Sequence, residues 1–368
     1  MHILRFVKTH IVLCIASLAA ALSCIPVPPD RQYLSYIDLK TISCLFITLA
    51  VVCALRNIKF FTILARKIVL LTENLRLLAL ALVYITFIGS MLIANDMALI
   101  TFLPLGYFAL SVTGNEKYMA YIFILQNISA NLGGMLTPFG NPQNLYLYSL
   151  YGIPTGEFMQ IMLAPFLVSI GLLTLSCMLL GKHPLEITET FPERLPIKKT
   201  MLYLFLFAFS ILIVFRVIPY AVGLILIPAV LFFVDREALR AVDYPLLLTF
   251  IMFFIFAGNL SRVTAINTFL SSLLKESTLL VSIFSCQVIS NVPTAILLSR
   301  FTENYRELLL GVNIGGTGTL IASLASLITF SEFRLLQPSG TKRYFILFSL
   351  LNLLFLAVLT AAAYLFWR

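Results

Sequence analysis

The sequence predicts an all-α polytopic membrane protein made of two inverted repeats, each with a re-entrant hairpin and a broken helix, with about ten to eleven membrane elements in all. Three observations predict it. First, 60% of the 368 residues are hydrophobic and 11% are charged, and the mean hydropathy is +1.00. A soluble domain carries about 25% charged residues. Such a chain is solvated by lipid, which excludes a soluble enzyme, a nucleic-acid binder and a disordered chain. Second, several apolar stretches are interrupted at polar points in mid-run. Third, the interruptions recur as paired motifs in the same order in both halves.

The elements follow in order. Residues 11–25 form a first helix. Arg5 and Lys8 before it resemble a signal peptide, but Pro26, Pro28 and Pro29 follow it without a small-x-small cleavage pattern, so the segment reads as a retained helix. Residues 41–55 form a second helix, and 56–76, with five basic residues among apolar ones, reads as an amphipathic helix in the cytoplasmic interface. The runs 77–94 and 97–112 are half-spans joined at a polar tip, a hairpin over 77–112. Residues 118–152 form a broken helix and 158–180 a span, which closes a first repeat at 1–199. Residues 200–218 link the halves and reverse the orientation of the second, 219–368. That half holds spans 220–234 and 246–260, a hairpin over 277–302, a broken helix over 308–330 and a last helix over 344–366.

The net charge of +9 carries no nucleic-acid signal, because the basic residues sit between apolar segments. With the N-terminus inside, seventeen of the 25 Lys and Arg fall in cytoplasmic loops: Arg5, Lys8, the five of 56–76, Lys117, the four of 181–199, Arg236, Arg240, Arg334, Lys342 and Arg343. The split favours a cytoplasmic N-terminus and an outside C-terminus in a cell (inner) membrane. The six cysteines are scattered without a CxxC pair and read as small core residues. His2, His10 and His183 form no metal cluster, and no cofactor is expected beyond a coupling Na⁺ or H⁺.

The repeat lies in three pairs. Asn95-Asp96 following Ile93-Ala94 matches Asn291 following Ile289-Ser290. Asn131-Leu-Gly-Gly-Met-Leu-Thr137 matches Asn313-Ile-Gly-Gly-Thr-Gly-Thr319. Asp38 matches Asp243. Inverted repeats with broken helices mark a secondary transporter whose site lies at the repeat interface near the midplane.

Asp96 carries the most information. It is the one acidic residue placed near mid-membrane, where a carboxylate costs about 2.5–3.5 kcal/mol on insertion scales. It reads as a Na⁺ or proton site; the competing reading is a cap on the helix that follows. Asn95 and Asn291 offer an amide oxygen to a cation and N–H donors to an anion, or simply cap the tips. With Asp96 they are the candidate Na⁺ ligands. The segments 131–144 and 313–319 break their helices with glycine and proline and free backbone carbonyls. Gly133 and Gly315 are therefore candidate coupling-ion positions, with close helix packing as the alternative. The candidate substrate residues are Asn95, Asn131, Thr137, Asn141, Asn144, Ser290, Asn291, Thr294, Asn313, Thr317 and Thr319. Any single hydroxyl among them also fits a helix-to-backbone bond. Arg216 reads as a snorkelling residue at the outer end of 200–218.

At these residues the chain resembles the ion transporter superfamily of arsenite permeases, citrate transporters, NhaD-type sodium/proton antiporters and divalent anion/sodium symporters. The resemblance rests on Asn95-Asp-Met-Ala-Leu-Ile-Thr-Phe-Leu-Pro104, Gly140-Asn-Pro-Gln-Asn-Leu145, Ser290-Asn-Val-Pro-Thr294 and Asn313-Ile-Gly-Gly-Thr-Gly-Thr319. It implies two opposed re-entrant hairpins, two broken helices, a surrounding scaffold and a homodimer. The symporter branch has Ser-Asn-Thr at both tips. Here the tips are Ala94-Asn95-Asp96 and Ser290-Asn291-Val292, and a carboxylate at the first disfavours a di- or tricarboxylate.

The leading reading is a secondary active, H⁺- or Na⁺-coupled permease for a small inorganic or organic anion, by alternating or elevator-like access. The alternative is a Na⁺/H⁺ antiporter using Asp96. An intramembrane enzyme would need a nucleophile–base or paired-acid constellation, which the motifs do not offer.

Overall fold

The structure is a computed structural model that describes residues 10–185 and 195–367. His2, Arg5, Lys8, Arg194 and Arg368 lie outside the described residues. Among the described residues the chain is all-helical, with one isolated bridge between Asn74 and Pro184. Eight helices among the described residues are long and apolar enough to cross a membrane, or nine if one bent pair counts as a span. The protein is thus a multi-pass membrane protein.

The helices start where their caps dictate. After α1 (Ile11–Ser23) and the short α2 (Tyr33–Tyr36), Asp38 accepts the Thr41 N–H and opens α3 (Leu39–Asn57). The interfacial segment is shorter than 56–76: α4 spans Phe60–Val69 and ends because Glu73 and Leu75 hydrogen-bond with Leu185 and His183 instead. Asn74 then caps α5 (Leu75–Ile93), which turns at one residue into α6 (Asn95–Val112). At 19 and 18 residues these helices are longer than half-spans. Their apolar character starts as soon as Asn74 has capped the chain, and α6 accommodates Pro104 internally. The first broken helix is α7 (Met119–Gly133), a short 3₁₀ turn, and α8 (Pro142–Leu150). Next come α9 (Thr155–Met178), α10 (Ile197–Val214) and α11 (Tyr220–Val234).

In the second half, α12 (Arg236–Arg240) precedes α13 (Tyr244–Arg262), which Asp243 caps through the Leu246 N–H. α14 (Thr264–Glu276) was not foreseen, because its mixed composition hides it from a hydropathy reading. It bends by 120° into α15 (Thr278–Ile289), which meets α16 (Asn291–Leu298) at Ser290. The second broken helix is α17 (Tyr305–Ile314) and α18 (Leu324–Leu336); α19 (Thr341–Trp367) ends the chain.

Burial sorts the elements. The segment containing α7 is 83% buried and that of α3 67%, against 33% for α10 and 28% for α19. The first two form the centre and the last two present Leu and Phe outward to lipid. Phe250 and Phe254, on α13, are fully buried, and the Phe254 ring lies 5.3 Å from that of Tyr146. Those phenylalanines therefore pack inward.

Loop contacts fall into two sets. Arg76 Nε donates to the Leu180 carbonyl at 2.9 Å, Lys117 and Arg343 line one cavity, and Asn57 and Tyr203 both donate to Asp235. The other set holds Arg262 with Asp30 at 2.8 Å, Arg300 with the Tyr36 carbonyl at 2.8 Å and Arg306 with Glu157 at 2.6 Å.

Candidate functional site

The two tips share one backbone geometry. Ala94 has φ 67° and ψ 155°; Ser290 has φ 74° and ψ 159°. This region belongs to glycine, and a side chain there costs about 1–3 kcal/mol. Each strained residue lets its helix pair reverse within one step. Behind each, an asparagine folds back in the same way. Asn95 Oδ1 accepts the Asp96 N–H at 3.0 Å, and Asn291 Oδ1 accepts the Val292 N–H at 2.9 Å.

The broken segments match as closely. Thr137 Oγ1 donates to the Met91 carbonyl at 3.0 Å, and Thr319 Oγ1 donates to the Gln287 carbonyl at 2.9 Å. Each acceptor stands four residues before its tip asparagine. Gly133 and Gly315 sit where a Cβ would collide, with the Phe87 carbonyl and, at 2.9 Å, with the Cys286 side chain. Close helix packing accounts for both glycines. The Gly315 carbonyl in addition accepts from Gln287 Nε2 at 2.9 Å.

The halves meet through amides. Asn131 Oδ1 accepts from Ser323 Oγ at 2.8 Å and from Asn95 Nδ2 at 3.2 Å. Asn141 Nδ2 reaches Asn313 Oδ1 at 3.5 Å, and Asn313 Nδ2 donates to Asn144 Oδ1 at 2.6 Å. Asn131 precedes Asn141 by the same step by which Asn313 precedes Ser323. The bond between Ser323 and Asn131 and the bond between Asn141 and Asn313 therefore join matching positions of the two paired motifs, an arrangement consistent with a two-fold relation. Helix packing agrees: α6 lies on α18, and α16 lies on α8. The second tip joins this centre through its backbone, where the Asn291 N–H donates to the Ala322 carbonyl at 3.0 Å.

The structure thus brings Asn95, Asn131, Asn141, Asn144 and Asn313 into one buried hydrogen-bonded set with Asn291 beside it. Thr137 and Thr319 fasten the broken segments to the hairpins. Ser290 stays at its tip, bonded to the Ala322 carbonyl at 3.3 Å. Thr294 and Thr317 turn back onto their own helices, at 2.7 Å to the Ser290 carbonyl and 2.7 Å to the Ile314 carbonyl. Asn131 Nδ2, Asn141 Oδ1 and Gln143 Oε1 are buried without a protein partner. An amide left so costs about 1–3 kcal/mol, and the atoms of Asn131 and Asn141 lie where the halves meet.

Asp96 does not cap its helix. The side-chain bond to the first turn of α6 comes from Asn95, and Asp96 Oδ1 is buried without a partner. Arg216 does not snorkel: it lies 4.1 Å above the Tyr148 ring and donates to the Tyr148 carbonyl. Two contributors escaped the sequence reading of the site. Gln287 fastens the second broken segment by accepting the Thr319 N–H and donating to the Gly315 and Thr317 carbonyls. Asn127 Nδ2 ties α7 to Ser326 Oγ at 3.2 Å. Both are polar amides inside apolar helices, and that is the signal that would find them.

Comparison with known proteins fits this architecture. The citrate transporter family matches residues 3–304. The chain is 32% identical over 98% of its length, and 99% of the relative's, to the uncharacterized transporter MJ0456 of Methanocaldococcus jannaschii. It is 31% identical to the inner membrane protein YbiR of Escherichia coli over 73% of each chain. A shorter stretch, 40% of this chain and 30% of the relative, is 32% identical to the silicon efflux transporter LSI3 of Oryza sativa. The chain therefore belongs to the citrate transporter family and is a multi-pass membrane transporter.

Proposed function

We propose that this transporter is a secondary active, cation-coupled permease for a small anion or oxyanion, bound at the interface of two inverted repeats. The matched bonds between Ser323 and Asn131 and between Asn141 and Asn313 carry this reading. Inverted repeats with broken helices place their site between the repeats, and this is where the unpartnered amide atoms of Asn131 and Asn141 lie. Asn95, Asn131, Asn141, Asn144 and Asn313 offer amide N–H groups to an oxyanion, with Asn291, Ser290 and the threonines holding the frame around it. Asp96 supplies the coupling carboxylate, for Na⁺ or H⁺. The amide-rich site suits a weakly charged, oxygen-rich solute better than a tricarboxylate, which the Asp96 charge would repel. The name of the rice relative, a silicon efflux transporter, agrees with such a solute.

The Lys/Arg distribution orients the protein with its N-terminus in the cytoplasm and its C-terminus outside, in a cell membrane. A homodimer is the assembly the family resemblance implies. A Na⁺/H⁺ antiporter using Asp96 is the second reading, favoured by the buried, unpartnered Asp96 Oδ1. Solid-supported-membrane electrophysiology on proteoliposomes separates the two. Transient currents on adding arsenite, silicate or a monocarboxylate, dependent on a Na⁺ or pH gradient, support the permease. Currents on adding Na⁺ alone across a pH gradient, with no response to any solute, support the antiporter and defeat the permease.

A further inference from the structure

Asp96 shares its cavity with a second carboxylate from the other half of the chain. The cavity, about 30 Å³, is lined by Thr48 on α3, Asp96 at the first tip, and Asp243 at the start of α13, with Leu45, Leu49 and Phe139 among its apolar walls. Asp243 reads as a loop residue in the sequence, yet it lies inside the helical body. From the end of α3 inward, Asn57 bonds Asp235, Cys53 Sγ bonds the Ala241 carbonyl, and Thr48, Leu49 and Val52 stand with Asp243. α12 packs along α3, which brings the capping aspartate beside Thr48, Leu49 and Val52.

The oxygens around this space are under-used. Thr48 is 9% exposed, and its Oγ1 has no partner. Asp96 Oδ1 has none either. Asp243 spends one oxygen on the Leu246 N–H at 3.0 Å, and its other accepts no hydrogen bond among the described residues. The neighbouring charges bond to groups other than these carboxylates, among them Arg56, whose partner Met97 is itself a wall of the cavity. Arg56 donates to Met97 Sδ at 3.3 Å. Asp235 is held by Asn57 and Tyr203 nearer the helix ends. Two carboxylates facing so small a space repel each other, and a cation held between them would offset that repulsion. The donors are all hard oxygens, which suit Na⁺ or a proton and not a soft metal.

We propose that Asp96, Asp243 and Thr48 hold the coupling cation, Na⁺ or H⁺, in this cavity. The inference rests on the cation-coupled reading above and adds a second carboxylate from outside the hairpins. The cation then bridges the first hairpin to α3 and α13, so its arrival and departure bear on whether the hairpin can move against those helices.

The test uses purified full-length protein. ²²Na⁺ equilibrium binding, proton uptake followed with a pH dye, and gradient-driven currents are measured for the wild type, Asp96→Asn, Asp243→Asn and Thr48→Val. Asparagine caps a helix as well as aspartate does, so Asp243→Asn retains the start of α13. The expected result is a loss of cation affinity of about tenfold or more in Asp243→Asn, comparable with Asp96→Asn, because site charge sets affinity. The double variant is no weaker than either single one. Thr48→Val, which keeps the shape, weakens Na⁺ binding severalfold and serves as the readout if Asp243→Asn does not fold. A loss of Na⁺ binding identifies Na⁺; a loss of proton uptake with no Na⁺ binding in the wild type identifies H⁺. If Asp243→Asn and Thr48→Val bind and couple like the wild type while Asp96→Asn does not, this inference is overturned and cation coupling stands. If wild-type transport ignores both gradients, the cation-coupled reading itself fails.

Discussion

Asp96 illustrates how little of a residue's role lies in its type. By sequence it is either a coupling carboxylate or a helix cap. The structure gives the second option no bond: Asp96 Oδ1 is buried without a partner, and the side chain that accepts a first-turn N–H of α6 is that of Asn95. A half-buried carboxylate whose buried oxygen has no partner is removable without loss of a hydrogen bond. Asp96→Asn keeps the shape of the side chain and cannot change protonation. The expected outcome is unchanged or higher expression and melting temperature, since the midplane charge costs about 2.5–3.5 kcal/mol to insert, with transport that no longer responds to an imposed Na⁺ or pH gradient. A variant that still concentrates solute with the wild-type ion dependence returns Asp96 to an idle position.

At the scale of elements the sequence was most legible where hydropathy and capping agree. Span 220–234 was read to the residue as α11, and the break points at 94–96 and 290–292 fall at the observed tips. α14 was illegible because its polar and apolar residues alternate helically and average out. The packing of α12 along α3 was illegible because it is a tertiary property, so Asp243 looked like a loop residue. The pairing of Asp38 with Asp243, both capping at the third residue on, was the available clue. The tips give a sharp prediction. Ala94 pays a steric penalty at φ 67° and makes no side-chain bond, whereas Ser290 bonds the Ala322 carbonyl. Ala94→Gly removes that strain, about 1–3 kcal/mol, against about 0.4–1 kcal/mol of added chain entropy. Thermal unfolding should therefore rise for Ala94→Gly and not for Ser290→Gly. The loop between α1 and α2 gives another. The Arg262 guanidinium, bonded to Asp30, together with the Gln32 N–H holds the Asp30 carboxyl below its ordinary value. A carboxyl depressed in the folded state stabilises above its unfolded pKa of about 3.9 and loses that effect as pH falls through the folded value. Asp30→Asn should lower the melting temperature at neutral pH and converge with the wild type in acid; a constant offset at all pH values would refute the pairing.

For the whole molecule, the bonds fall into a pattern with a mechanical meaning. The two hairpins and two broken helices are joined by matched contacts: Thr137 and Thr319 within each half, and Asn131 with Ser323 and Asn141 with Asn313 between halves. Buried amide bonds of this kind resist opening, since each broken pair leaves a group costing about 1–3 kcal/mol. Around this unit, α3, α10 and α11 pack on one another, and their contacts with it are sparser in polar bonds. Arg56 on Met97 Sδ and Arg216 on Tyr148 are contacts of this second kind. The expected motion is therefore a rigid shift of the hairpin unit against α3, α10 and α11. Cysteine pairs test it in a background lacking the native cysteines. Asn127→Cys with Ser326→Cys lies within the unit, at a 3.2 Å native contact; Arg56→Cys with Met97→Cys straddles its edge. Joined by a short bifunctional maleimide or an oxidant, the first pair should leave transport currents near those of the reduced sample. The second should abolish them, with recovery on reduction where a disulfide was formed. Loss of transport from the first pair with retention in the second would place the moving boundary between the halves themselves, and the matched amide contacts would then be the ones that open.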